Sequence, residues 1–76
     1  MNNSRRKRIN QSILALTGAQ QKMQKALDEE KAALARIPDD DDHEVMRDAM
    51  DEIISGLDDA LSSLHDAIDT LNAANF

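Results

Sequence analysis

A run of consecutive acids, Asp39-Asp40-Asp41-Asp42-His43-Glu44, has the residue types of a metal site. A calcium loop of the EF-hand type, however, needs alternating ligands, a central glycine and a glutamate at its twelfth position, and this run provides none of the three. We interpret the run as a turn followed by a helix cap, in which Asp41 and Glu44 have the spacing of a capping box. The sequence therefore predicts neither a metal site nor a cofactor.

A histidine beside serines is a second candidate for chemistry. His65 follows Ser62 and Ser63, and Asp69 lies four residues later, one helical turn away. This spacing is typical of an exposed His–Asp pair on a helix. A catalytic base would also need a nucleophile or a second acid in a pocket, and the chain carries no glycine-rich phosphate loop. We expect that the protein is not an enzyme.

Four consecutive basic residues near the N-terminus form the densest positive cluster, Arg5-Arg6-Lys7-Arg8. Cations oppose the dipole at a helix N-terminus, so local stability does not explain the cluster. One interpretation is contact with the phosphates of a nucleic acid, although no aromatic residue accompanies the cluster to stack on bases. The alternative is charge compensation, because an antiparallel hairpin would bring the cluster near Asp66 and Asp69. We favour compensation.

Charge is distributed unevenly along the chain. The net charge is −6, but residues 1–38 carry +5 and residues 39–76 carry −11. Such asymmetry concerns partners and self-association and not the fold. We expect an acidic face on the second half to bind a basic groove of another protein, in competition with nucleic acid. The expected partner-binding residues are Asp48, Asp51, Glu52, Asp58, Asp59, Asp66 and Asp69.

The composition indicates one small domain, residues 1–76, that needs additional stabilisation. The chain has no cysteine and one aromatic residue, so its core must consist of Leu, Ile, Met and Ala. A chain this short is marginally stable alone, and oligomerisation is the stabiliser that its composition allows. Its longest apolar run, Ile13 to Leu16, is far shorter than the ~20 residues of a membrane span. We therefore expect a cytoplasmic protein that does not bind a membrane.

The first half contains an apolar series that predicts a helix over residues 4–37, capped by Ser4 and weakened at Gly18. The series advances by alternating steps of four and three residues, which keeps one stripe of a helix against a neighbour. Its polar members, Gln20 and Glu30, either fix the register or reach water at the edge of the stripe. The members are Ile9, Ile13, Leu16, Gln20, Met23, Leu27, Glu30, Leu34 and Ile37.

A second series of the same kind predicts a helix over residues 42–74. Pro38 must end the first helix, because the residue before a proline is disfavoured in the helical conformation. The short connection makes the two helices an antiparallel hairpin, with Ile37 opposite Met46 and Leu27 near Leu57. The members of this second series are Met46, Met50, Ile53, Leu57, Ala60, Leu64, Ala67, Leu71 and Ala74.

Both helices carry further apolar residues at steps of seven, beside these series. If the residues of the two series pack against each other and bury one face of each helix, the further apolar residues remain exposed and form a binding patch. Two hairpins joined through this patch would make a four-helix bundle. The expected homodimer interface consists of Ala19, Ala26, Ala33, Ile54, Leu61 and Ile68.

The segment from about Gln24 to Ala74 resembles a group of short phage and prophage proteins. The relatives have an aromatic residue before the proline, where this chain has Ala35-Arg36-Ile37, and the basic N-terminus lies outside the resemblance. The features that carry it are Asp28-Glu29-Glu30, then Pro38, then an acidic helix with hydrophobic repeats that reads Met50-Asp51-Glu52-Ile53-Ile54, Leu57-Asp58-Asp59-Ala60-Leu61 and Leu64-His65-Asp66-Ala67-Ile68.

The resemblance implies a phage accessory protein, for which blocking a host defence system is a plausible role. No functional residue is carried over from the group. The resemblance and the acidic second half of the chain together lead us to expect a homodimer that binds and inhibits a host protein through its acidic helix. The alternative is a nucleic-acid-binding hairpin dimer that uses Arg5, Arg6, Lys7 and Arg8.

Overall fold

The computed structural model describes residues 3–74 as two long helices with a short connection. Helix α1 is Asn3–Ala35, a single turn of 3-10 helix is Asp41–His43, and helix α2 is Glu44–Ala74. The two long helices pack along each other in a body 59 Å long and 14 by 13 Å across. The predicted all-α helical hairpin is confirmed.

Helix α1 ends two residues earlier than predicted. The N–H groups of Arg36 and Ile37 donate to the carbonyls of Ala33 and Leu34, both at 3.1 Å. These bonds span three residues instead of four, so the helix tightens before Pro38, which has no N–H to continue it. At the other end Ser4 lies inside α1, which already includes Asn3, so Ser4 is not the predicted N-cap.

The cap before α2 also differs from the prediction by one residue. Asp40, with an extended backbone, accepts a hydrogen bond at its Oδ1 from the N–H of His43 at 3.1 Å. The ring Nδ1 of His43 lies 2.6 Å from the same oxygen. The predicted capping box of Asp41 and Glu44 is therefore wrong, because the first turn is a 3-10 helix that places the cap one residue earlier.

The stripe predicted for α1 faces α2 as expected. Leu27 is its most buried member, at 2% exposure, and the other eight members are half-buried. Gln20 and Glu30 are among those eight, so both polar residues lie within the stripe. The four-three spacing of α1 therefore determined its orientation correctly.

Helix α2 packs through a different stripe from the one predicted. Leu61 is only 9% exposed, whereas Ile53 and Met46 of the predicted series are 51% and 52% exposed. The series that faces α1 consists of Arg47, Met50, Ile54, Leu57, Leu61, Leu64, Ile68 and Leu71, of which all but Leu61 are half-buried.

The two possible stripes of α2 share four positions and differ in the residues between them. The stripe that packs has Ile54, Leu61 and Ile68 between the shared positions, where the other has Ile53 and two alanines. Large side chains gain more from leaving water than alanine does, so α2 turns them inward. The sequence predicts that Ile54, Leu61 and Ile68 remain free for a dimer. This prediction is wrong for Leu61, which is buried, and Ile54 and Ile68 are half-buried beside it in the stripe that faces α1. Dimerisation itself stays a prediction.

One hydrogen bond defines how the helices meet at the turn. The Nη1 of Arg47 donates to the carbonyl oxygen of Ile37 at 2.9 Å. Counting outward from this pair, residues 34, 27 and 23 of α1 fall opposite 50, 57 and 61 of α2, and all are buried or half-buried. The predicted pairing of Ile37 with Met46 is thus corrected by one residue, in agreement with the rotated stripe.

Replacing the two glycines by alanine should stabilise the hairpin. Gly18 and Gly56 both lie inside helices, and a Cβ added at either would meet no atom within 4 Å. Because glycine costs about 1 kcal/mol relative to alanine in a helix interior, we expect G18A and G56A each to raise the free energy of unfolding by about that amount. Urea unfolding at fixed protein concentration measures it. A decrease in either variant would show that the glycine is needed at a contact outside the single hairpin.

Candidate functional site

The seven acidic residues predicted to bind a partner are all exposed. The first and last, Asp48 and Asp69, are separated by about 30 Å along the helix axis at 1.5 Å per residue. Asp69 pairs with His65, its Oδ2 lying 3.2 Å from Nε2, as predicted for an exposed pair. Among residues 3–74 the other six carboxylates form no ion pair.

These carboxylates lie outside the stripe of α2 that packs on α1. Glu52, Asp59 and Asp66 recur every seven residues, so they form one row with steps of about 10.5 Å. Asp51 and Asp58 form a second row beside it, also exposed. We call the whole set, which also includes Asp48 and Asp69, the acidic face. Its charges are held at fixed intervals on a rigid helix and remain available to a partner.

At the turn the acidic face continues into an open hollow of about 340 Å³. The sequence interpretation missed this hollow because it assigned the acids of the connection only to capping. The signal was present in the spacing, since Glu44, Asp48 and Asp51 recur at one helical turn directly after the acidic run. The hollow is lined by Asp39, Asp40, Asp41, Glu44, Arg47, Asp48 and Asp51. Six carboxylates and one guanidinium line the hollow, so it carries a net negative charge.

Arg47 is the cation in this hollow, and its function there is structural. Besides the bond to the Ile37 carbonyl, its Nε lies 3.7 Å from Oδ1 of Asp39. A cation at the C-terminal end of α1 also complements the helix dipole. Because Asp39 is almost fully exposed, that ion pair adds little, and the hydrogen bond to the carbonyl is the main contribution.

Replacing Arg47 should loosen the turn measurably. R47M keeps much of the apolar stem but removes the donor to the Ile37 carbonyl, so we expect a loss of about 1 kcal/mol in the free energy of unfolding. R36M is the matched control, since Arg36 is exposed and its side chain has no bond of this kind. Urea unfolding compares the two variants. Equal losses would contradict a specific role for Arg47.

The acidic connection does not have the arrangement of a metal site. Asp40 uses its carboxylate to cap the backbone N–H of His43 and to bind the His43 ring. Within the described residues, no group of three or more His, Asp or Glu is placed to hold a metal ion. Asp39, Asp40 and Asp41 line the open hollow.

The four residues of the basic cluster point in different directions, because consecutive residues of a helix are about 100° apart. Arg5 and Arg8, three residues apart, lie on the same side of α1. Arg6 is half-buried at the stripe that faces α2, while Arg5, Lys7 and Arg8 are exposed. Arg5 and Arg6 each have an interaction partner in the structure. Lys7 and Arg8 form no ion pair with Asp66 or Asp69 within residues 3–74, so the predicted compensation is not seen for these two.

Comparisons with protein-family models, with curated proteins and with solved structures gave no match for this chain. Between residues 3 and 74, no helix is long and apolar enough to cross a membrane. The fold and the acidic face are therefore the observations from which a function has to be inferred.

Proposed function

We propose that this chain is a homodimeric interaction protein that binds a host protein through its acidic face and inhibits it. The target is a protein with a basic groove, of the kind that binds nucleic acid, and a component of a host defence system fits the resemblance to phage proteins. The observation that carries the proposal is the set of six exposed carboxylates on α2 that form no ion pair among residues 3–74.

The mechanism is competition for a positively charged surface. A nucleic acid presents regularly spaced negative charges to its binding protein, and neutralising them supplies much of the affinity. The acidic face presents carboxylates over about 30 Å on a helix, which needs no ordering on binding. The hollow at the turn adds a concave acidic pocket where a lysine or arginine of the target would insert between Glu44, Asp48 and Asp51.

The basic cluster supports the alternative, nucleic-acid binding, less well. A phosphate-binding surface needs several cations on one side, and because Arg6 is half-buried against α2, the cluster offers three exposed cations instead of four. The two functions predict different ligands, so one experiment separates them.

Affinity capture from host lysate tests the proposal. We expect a discrete protein to be retained at about 50 mM salt and released at about 500 mM, because salt screens contacts between exposed charges. Nuclease treatment should leave this retention unchanged. Retained nucleic acid that is lost on replacing Arg5 to Arg8 by glutamine would contradict the proposal and support the alternative.

A further inference from the structure

One side of the hairpin carries neither a charge nor a large polar group over most of its length. In an antiparallel pair, equivalent flanking positions of the two helices lie on the same side of the pair. Here the flanking row of α1 contains Ala19, Ala26 and Ala33, and that of α2 contains Met46, Ile53 and Ala60. We call these six residues the uncharged face. The opposite flank of α2 carries Asp51 and Asp58, so the apolar character belongs to one side only.

The uncharged face is open to water in the single hairpin. Met46 and Ile53 are 52% and 51% exposed, although Met and Ile are usually buried. Ala26 is exposed as well, while Ala19, Ala33 and Ala60 are half-buried at the edge of the hairpin contact. In this register Ala33 lies nearest Ile53 and Ala26 nearest Ala60, while Met46 lies beyond Ala33 toward the turn. The large side chains of the uncharged face therefore lie toward the turn and its alanines lie farther along the hairpin, where their small size lets another helix pair approach closely.

The hairpin alone exposes more surface than a compact protein of its size. A compact monomer of 8.4 kDa has an accessible surface of about 4,600 Å², and this chain has 5678 Å². Its radius of gyration is 17.4 Å, where a compact chain of 76 residues has about 11 Å. Only Leu27 and Leu61 are buried hydrophobic residues within the described part of the chain. An assembly that covers one side would supply the missing burial.

We infer that a second copy of this chain covers the uncharged face, so that two hairpins form a four-helix bundle. The uncharged face covers residues 19–33 of α1 and 46–60 of α2, about 21 Å along each helix at 1.5 Å per residue, so the second copy meets the part of the hairpin nearer the turn. A second copy fits because it presents the same uncharged surface, as a two-fold contact requires. This inference rests on the homodimer in the proposed function and specifies where and how its copies meet.

Charge selects between the two possible arrangements of the copies. If both turns lie at the same end, α1 of each copy packs over α2 of the other; if they lie at opposite ends, α2 packs over α2. Helix α2 has a net charge of −7 and α1 has +4. Packing α2 over α2 brings like charges together, whereas packing α1 over α2 brings opposite charges together. The turns therefore lie at the same end, and the two acidic faces remain on the outside.

A pair of matched variants tests the face. I53E places a charge in the centre of the proposed contact, and we expect it to raise the dimer dissociation constant at least 100-fold in sedimentation equilibrium. V45E is the control, because Val45 is a β-branched residue of the same helix that is 84% exposed and lies outside the uncharged face. It should change the constant by no more than about threefold. Circular dichroism checks that both variants remain helical.

Either of two outcomes overturns the inference: I53E remains as dimeric as V45E, or the wild-type chain is monomeric at every concentration. A dimer that persists in I53E would show that the uncharged face is not the dimer contact, but it would leave the proposal that the acidic face binds a partner intact. Loss of partner binding without any change in the dimer would count against the proposed function but leave the uncharged face as the dimer contact. The two failures are therefore distinguishable.

A distance measurement tests the arrangement without relying on a disruptive variant. A nitroxide on D42C, at the exposed turn of a chain without other cysteines, reports the separation of the two turns by double electron–electron resonance. We expect roughly 20–30 Å, the width of a bundle with helices 8–10 Å apart plus the two labels. A separation near the 59 Å length of the hairpin would contradict the charge argument and place the turns at opposite ends.

Discussion

Replacing Leu27 by alanine should remove a large part of the stability of this protein. Leu27 is 2% exposed and is one of two buried hydrophobic residues among residues 3–74. Leucine-to-alanine changes in a core cost about 2–5 kcal/mol, and a chain of this size has a total stability of roughly 4–11 kcal/mol. We expect L27A to lie near 3 kcal/mol below wild type in urea unfolding, measured at fixed protein concentration.

Leu14 provides the control for this prediction on the same helix. It is 72% exposed, so L14A removes the same atoms from a solvated position and should change the free energy of unfolding by less than about 0.5 kcal/mol. The comparison cancels the small difference in helix propensity between leucine and alanine. If L14A were as destabilising as L27A, the rotation of α1 in the hairpin would be wrong.

Neutralising the acidic face should have the largest effect on binding. The variant D51N/D58N/D59N/D66N keeps side-chain volume and removes four exposed charges from α2. If each exposed contact contributes about 0.5–1 kcal/mol, the affinity for the captured host protein falls by about 30-fold or more at low salt. The fold should be retained, because removing like charges relieves repulsion on the helix. Titration with the purified partner measures the change.

A matched pair of double variants separates the acidic face from net charge. D58N/D59N and D28N/E29Q each neutralise two adjacent exposed acids, one pair on α2 and one on α1. We expect only D58N/D59N to lower the affinity for the partner. Equal weakening would show that the partner responds to total charge and not to the acidic face, and no weakening in the fourfold variant would remove the proposed function.

The sequence was sufficient to predict the hairpin and the orientation of α1. In α1 one apolar series is possible, and it continues through Gln20 and Glu30 without competition from another. Pro38 and the acids after it define the turn, because a proline cannot continue a helix and carboxylates favour the start of the next one. These signals are local, so they are present in the residues themselves.

The orientation of α2 could not be determined from spacing alone. Its two candidate stripes share Met50, Leu57, Leu64 and Leu71 and differ by one residue at the positions between them, so both have the four-three pattern. The stripe that packs begins with Arg47, whose guanidinium reaches the Ile37 carbonyl. Residue size was the better guide, because burying Leu61 gains more than burying Ala60.

The hollow at the turn depends on tertiary placement and was not predictable in the same way. Glu44 and Asp48 reach the hollow because α2 is rotated with Leu61 toward α1. A rotation of α2 by one residue would direct these carboxylates elsewhere, since each residue turns a helix by about 100°.

The central claim is that a second copy covers the uncharged face and leaves the acidic face free for a partner. Sedimentation equilibrium of the unmodified free protein tests it most directly. We expect a mass about twice the 8.4 kDa of the chain at micromolar concentration. A mass equal to one chain at every accessible concentration would contradict it, and Met46 and Ile53 would then belong to the surface that binds the partner.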